Sequence, residues 1–197
     1  MGRTARHLGI AAALALCAAA VLPAEPAGDS LEFVATQAEA PLIGRIRSFA
    51  NEIRLDPAHP QDGKVRIRID LATVDAGSRD ADDLLRSPEF FDIDRSPQAL
   101  YESQAIRALD GGRFEAAGTF TIKGTSRPLT LAFRDRPDGS GGHWFEGGGS
   151  VSRLAYNIGN GQWKDTSTLD DAVEIRFRVH VSAHGKSPLP GTGRETE

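Results

Sequence analysis

The chain has 197 residues, with 23 Lys and Arg against 27 Asp and Glu, a formal charge of −4 at neutral pH. That mild acidity argues against a nucleic-acid partner, which calls for a basic stripe. A single cysteine excludes an internal disulfide framework, and the length suits one domain with a buried core.

The first residues read MGRTARHLGIAAALALCAAAVLPAEPAG. Arg3, Arg6 and His7 precede an apolar run from Leu8 to Leu22, which stops before Pro23. The run is too short to span a bilayer comfortably and has the layout of a secretory signal. Cleavage after Ala24 is expected, giving a leader over 1–24, a domain over 25–184 and a loose polar tail over 185–197. Cys17 follows Leu16, where a lipidation site wants a small residue, so it is expected to leave with the leader. Without the leader, 21 basic residues face 27 acidic ones, a charge of −6.

Period-two alternation then recurs along the chain. SLEFVAT near Phe33 is the first strand. The second runs from Ile43 towards Leu55, with a phase shift between Ile46 and Phe49 that predicts a bulge or bend. In VRIRIDLATV, Val65, Ile67, Ile69 and Leu71 face one way and Arg66, Arg68 and Asp70 the other. GSRDADDLLRSPEFFD breaks the alternation. Ser78 or Asp80 caps a short helix over Ala81 to Arg86, and Pro88 stops it. A fourth strand surrounds Tyr101 to Ala108, and Asp110-Gly111-Gly112 turns it into a strand from Phe114 to Ile122. TFTIKGTSRPLTLAF is a hairpin. Gly124 frees the turn, and Pro128 suits a strand's first position. A seventh strand lies near Trp144 to Arg153. The last places Val173, Ile175, Phe177, Val179 and Val181 opposite Glu174, Arg176, Arg178 and His180. Eight strands with one helical insertion predict an antiparallel barrel or a sandwich; a barrel of that size is filled by side chains or holds one small ligand.

Reactive groups do not converge. His59, His143, His180 and His184 have no metal-ligand spacing, and Ser150 lacks a Gly-x-Ser-x-Gly elbow. Lys123 precedes a glycine and a strand, so this is no phosphate loop. The acids Asp80, Asp82, Asp83, Glu89, Asp92 and Asp94 offer a carboxylate pair for a hydrolase only in the alternative reading. Leu84, Leu85, Phe90 and Phe91 lie in the non-strand insertion and fit either a core plug or a lid over an apolar cavity.

Four stretches together resemble one family. TFTIKGTSRPLTL resembles its Ile-Lys-Gly hairpin, RDADDLLRSPEFFD its Phe-Phe-Asp insertion, and SPQALYES a Pro-to-Ser strand with Tyr101 in place of Phe. GSVSRLAYNIGNG puts Arg153 on the family's arginine. The chain is similar, from about Leu31 to His184, to the YceI-like polyisoprenoid-binding periplasmic proteins. The resemblance implies an eight-stranded lipocalin-like antiparallel barrel around an apolar cavity, with a long-chain isoprenoid or fatty-acid-like ligand and no catalysis. It implies a periplasmic location. Members with a last segment like GNGQWKDTSTLDDAVEIRFRV often accompany b-type cytochromes of the inner membrane, which makes such a cytochrome an alternative partner. The chain departs from the family at QAEAP, where many members carry His-x-Gly, and LEFVAT lacks the Gly-x-Trp of true lipocalins.

The expected lining is Ile67, Ile69, Phe120, Leu131, Phe133 and Phe177, under a lid of Leu85, Phe90 and Phe91. Lys123, Arg127 and Arg153 are the candidates for a head group. No cofactor and no metal are expected.

Overall fold

The computed structural model describes residues 28–182; the expected leader, Cys17 and the expected tail lie outside them. The described residues form ten strands and one α-helix. The strands are β1 (Ser30–Gln37), β2 (Ala40–Ile46), β3 (Phe49–Arg54), β4 (Lys64–Asp70), β5 (Val74–Asp75), β6 (Gln98–Leu109), β7 (Arg113–Ile122), β8 (Thr125–Pro137), β9 (His143–Ser152) and β10 (Ala172–Val181). The helix α1 (Arg79–Arg86) sits between β5 and β6.

All ten belong to one antiparallel sheet, in the order β3-β4-β6-β7-β8-β9-β10-β1-β2-β5. The ends of this curled sheet, β3 and β2 with β5, are consecutive in the chain. The expected second strand is therefore two strands. Ile46 and Phe49 both pack against the larger core cluster, which an unbroken strand cannot achieve three residues apart. The break falls at Arg47 and Ser48, whose amides donate to the Thr73 carbonyl (3.2 Å) and Thr73 Oγ1 (3.0 Å). The tenth strand, β5, has only two residues and pairs Val74 with Ile46.

Elsewhere the alternation holds, except on β6, where the register with β7 shifts between Ser103 and Ala105. Arg66 and Arg68 on β4 point outward and pair with Glu102 (3.3 Å) and Glu52 (2.8 Å) on the neighbouring strands. Such exposed pairs contribute about 0.2–1 kcal/mol each. The burial of the opposite face contributes more, about 1.5–3 kcal/mol per large apolar side chain.

The hairpin at Lys123-Gly124 is a two-residue loop closed by Ile122 opposite Thr125. Both loop residues have positive φ (49° and 69°), as a type I′ turn requires. Pro128 lies within β8 rather than at its start. There β8 is paired with β7 alone, because the β8–β9 ladder covers only Ala132 to Pro137. A residue without an N–H is tolerated on such a half-open stretch.

Two apolar clusters fill the interior. The larger includes Leu31, Leu71, Val74, Phe120 and Tyr156 and is joined by Leu85, Phe90 and Phe91 from the insertion. The smaller, which no helix residue joins, contains Ile106, Phe114, Ala116, Phe133 and Phe145. Phe114 stacks on Phe133 with ring centres 5.6 Å apart, and Phe145 meets Phe133 edge-on at 5.8 Å.

Candidate ligand chamber

The insertion is built as a roof. Ser78 Oγ accepts the Ala81 amide (3.2 Å) and caps α1 one turn earlier than the apolar pattern begins. Asp82 Oδ1 accepts the Ala76 amide (2.7 Å), and Arg86 donates to the carbonyls of Ala72 and Val74 (both 3.1 Å). These bonds fix the helix to the chain that precedes it. Asp83 pairs with Arg86 at 3.2 Å. Of the acidic group, Asp82 and Asp83 thus hold the helix in place. Among the described residues, no group of three or more His, Cys, Asp or Glu is arranged to hold a metal ion.

After α1 the chain folds back, with the Phe91 amide donating to the Leu85 carbonyl (3.0 Å) and the Asp92 amide to that of Ser87 (2.9 Å). This tight return buries Phe90 and Phe91 side by side in sequence. Phe91 meets Phe33 edge-on at 6.1 Å, and Phe90 meets Trp163 at 5.6 Å.

Below the roof is a cavity of about 240 Å³. Its walls are almost wholly aliphatic and aromatic, with Phe33 and Ala35 on β1, Val173 and Ile175 on β10, and Leu84 and Leu85 on α1. A second cavity of about 60 Å³ lies among Phe49, Ile53, Val65, Phe145 and Val179. The two share Leu31, Ile69, Phe120 and Ile175, which form the waist between them. Of the expected lining, Ile69, Leu85, Phe90, Phe91 and Phe120 face the larger chamber, while Ile67, Leu131, Phe133 and Phe177 face the smaller. Tyr101 also borders the smaller one; its hydroxyl donates to the Ala116 carbonyl at 2.8 Å, and burial pushes its pKa up to about 12.

The three expected head-group cations have other partners. Arg153 is 2% exposed. Its Nε donates to the Asp170 carbonyl (2.8 Å), one terminal nitrogen to Ile158 and Gly159 (3.0 and 3.1 Å), and the other to Trp163 and Leu169 (2.7 and 2.6 Å). All five N–H groups of the guanidinium are engaged, so none remains for an anion. Gly159, at φ +74°, brings its backbone against the guanidinium where a side chain would collide. Burial lowers the Arg153 pKa, and Asp171 and Asp170 oppose that shift. The arginine therefore organises the segment 154–171, which supplies Ile158, Trp163 and Leu169 to the chamber wall. Lys123 Nζ donates to the carbonyls of Pro88 (2.6 Å) and Asn157 (2.9 Å), tying the roof to that same segment. Burial lowers its pKa, with Asp92 opposing. Arg127 Nε donates to the Ala155 carbonyl at 2.7 Å. A second tie joins the amides of Gly159 and Asn160 to the Glu89 carbonyl (2.9 and 3.2 Å).

Phe33 and Tyr156 also line the wall and are not among the residues expected there from sequence; Leu84 reads from sequence as plug or lid, and Trp163, after the Gly-Asn-Gly link, as core or ligand contact, and both line the wall. The alternation of LEFVAT carried the signal for Phe33; no local pattern marks Tyr156 or Trp163, which lie on two 3₁₀ turns (Leu154–Tyr156 and Gly161–Lys164).

A family model described as YceI-like domain matches residues 23–181. The chain belongs to the YceI-like family. A UPF0312 protein of Azotobacter vinelandii is 30% identical over 143 residues, covering 70% of this chain and 72% of that protein. Protein YceI of Salmonella arizonae is 29% identical over 122 residues, covering 59% and 63%. Among solved structures, Burkholderia cenocepacia BcnA superposes with a TM-score of 0.76 at 30% identity, over 78% of this chain and 96% of that one. A polyisoprenoid-binding domain from Saccharophagus degradans has the same fold, with a TM-score of 0.61 at 11% identity, over 77% and 92%. The YceI-like fold thus accounts for the curled sheet, and the chamber under α1 is the feature from which a function has to be read.

Proposed function

We propose that this YceI-like protein holds an apolar lipid in the larger chamber, as a binding protein for transport or storage rather than as an enzyme. The observation that carries the reading is a cavity of about 240 Å³ with an apolar wall under the helical insertion. Among the described residues its charged lining is Glu32 and Arg153, and both are paired with protein groups. The name of the Saccharophagus degradans neighbour points to the same ligand chemistry, an isoprenoid chain.

Size bounds what enters. A dry apolar cavity of about 150 Å³ takes benzene, so about 240 Å³ corresponds to roughly ten carbons. The smaller cavity adds roughly two more on the same scale. A longer chain has to extend past the roof or part the waist at Leu31, Ile69, Phe120 and Ile175. Each methylene buried contributes about 0.8 kcal/mol, so even a short tail gives useful affinity without polar contacts. The leader read from sequence supports a periplasmic location, which N-terminal sequencing of the protein from a periplasmic fraction tests.

The binding experiment is a titration with neutral lipids of increasing tail length, run on the wild type and on Leu84→Asp. Leu84 lines the chamber from α1 and is only half-buried, so the variant is expected to fold. Saturable one-to-one binding by the wild type, with at least a tenfold loss in the folded variant, is expected. Equal binding by both refutes the chamber as the site.

A further inference from the structure

The inward residues of four strands change cavity at one level. On β10, Val173 lines the larger chamber, Phe177 and Val179 line the smaller, and Ile175 between them lines both. On β4, Val65 and Ile67 face the smaller cavity and Ile69 faces both. On β7, Ala116 faces the smaller, Ile122 the larger and Phe120 both. On β1, Leu31 faces both, and Phe33, Ala35 and Gln37 continue along the larger chamber. Strand alternation turns every second side chain inward, so Leu31, Ile69, Phe120 and Ile175 form a ring across the interior, one residue from each strand.

Phe120 is the largest member of that ring, and it has a tyrosine in each cavity. Tyr101, its cross-strand partner on β6, lines the smaller cavity, and its hydroxyl donates to the Ala116 carbonyl at 2.8 Å. Tyr156 lines the larger chamber and meets the Phe120 ring edge-on with centres 5.5 Å apart. Both tyrosines are buried, and the Tyr156 amide donates to the Arg153 carbonyl (3.1 Å) at the start of the segment that Arg153 organises. Swinging Phe120 aside therefore means displacing a neighbour that is itself packed and tied.

The other end of the chamber is less closed. Leu42 lines it and pairs with Ala35 on β1, four residues beyond Leu31. Among the described residues, β5 covers only Arg45 and Ile46 of β2, so Leu42 stands on a stretch with no strand on its outer side. Across from it, Ala81 and the half-buried Leu84 line the chamber from α1.

Resting on the lipid-binding reading above, we propose that Phe120 determines the tail length this site accepts. With Leu31, Ile69 and Ile175 it stops an entering tail at about ten carbons, and whatever is longer emerges between β2 and α1 instead of reaching the smaller cavity.

The test is equilibrium dialysis of the protein against 1-alkanols of six to fourteen carbons, each below its solubility limit. In the wild type, affinity is expected to rise about fourfold per carbon, the contribution of one buried methylene, up to about ten carbons and to level off beyond. In Phe120→Ala the steep rise continues for about two carbons more, the capacity of the smaller cavity. Ile175→Ala opens the ring from β10, shifts the break in the same direction, and decides the matter should Phe120→Ala not fold. Phe133→Leu enlarges the smaller cavity alone and leaves the break where it is. An unmoved break in a folded ring variant overturns the proposal and leaves the chamber standing as the site. So does a break that Phe133→Leu moves equally, or a wild-type rise that continues unbroken to fourteen carbons. Binding of none of the alcohols overturns the lipid-binding reading with it.

Discussion

Replacing Arg153 by lysine keeps a positive charge at the site and removes the planar fork. The guanidinium makes five hydrogen bonds to carbonyls of residues 158, 159, 163, 169 and 170. An ammonium has three N–H groups, so at least two carbonyls lose their partner, at about 1–3 kcal/mol each where they are buried. The expected loss is about 2–5 kcal/mol, or a fall in melting temperature of roughly 5–15 °C for a domain of this size. Lysine is also more readily neutralised on burial than arginine. Thermal unfolding followed by circular dichroism reads the global effect, and hydrogen exchange over residues 154–171 reads the local one. A head-group role for the charge makes the opposite forecast, because lysine preserves the charge and an anion-binding site tolerates it. A melting temperature within 2 °C of wild type, with unchanged exchange across 154–171, refutes the clamp.

Lys123→Asn keeps a residue that tolerates the left-handed turn but removes both ties from the roof to Asn157 and Pro88. Because the ammonium is partly exposed, a cost of only about 1 kcal/mol is expected. It should appear as faster release of a bound lipid in stopped-flow displacement, with little change in melting temperature. In Gly44→Ala the added methyl collides with the Phe33 ring directly across the β1–β2 ladder. The ring must move, and a shift into the chamber shortens the longest tail that binds; an unchanged tail-length profile contradicts the placement of Phe33 in the wall. Tyr101 has a folded-state pKa of about 12 against an ordinary value of 10. Its stabilising contribution is therefore fully present below pH 10 and is lost as the pH rises towards 12, by roughly 2 kcal/mol. Denaturant unfolding between pH 9 and 12 should show this slope in the wild type and a reduced slope in Tyr101→Phe.

The sheet was legible in the sequence because its signal is local. β4 and β10 each alternate over seven or more residues, and the Lys123-Gly124 turn has a residue pattern of its own. The break between β2 and β3 was visible as a phase shift at Ile46 and Phe49. Its consequence, that the two halves sit at opposite ends of the sheet, depends on the long-range pairing of β1 with β10. β5 is two residues long and held by Arg47, Asp75 and Ile46, which no short window displays. The strand residues of the apolar lining followed from strand phase; those on α1 and the two 3₁₀ turns did not. The roles of the cations did not, since a lysine in a turn and an arginine after a strand look alike in sequence whether they face solvent, an anion or a carbonyl. Arg153 finds its five acceptors on a segment that winds around it, and only the fold shows that its donors are used up. Trp163 is the complementary case, a residue that reads from sequence as core or ligand contact and whose place in the chamber wall only the fold shows.

The most direct test of the central claim is mass spectrometry of the freshly purified protein, first under native conditions and then after organic extraction. The account expects a stoichiometric apolar molecule that leaves on denaturation and is absent from Leu84→Asp purified in parallel. Recovery of the same lipid from wild type and Leu84→Asp in equal amounts contradicts the chamber itself.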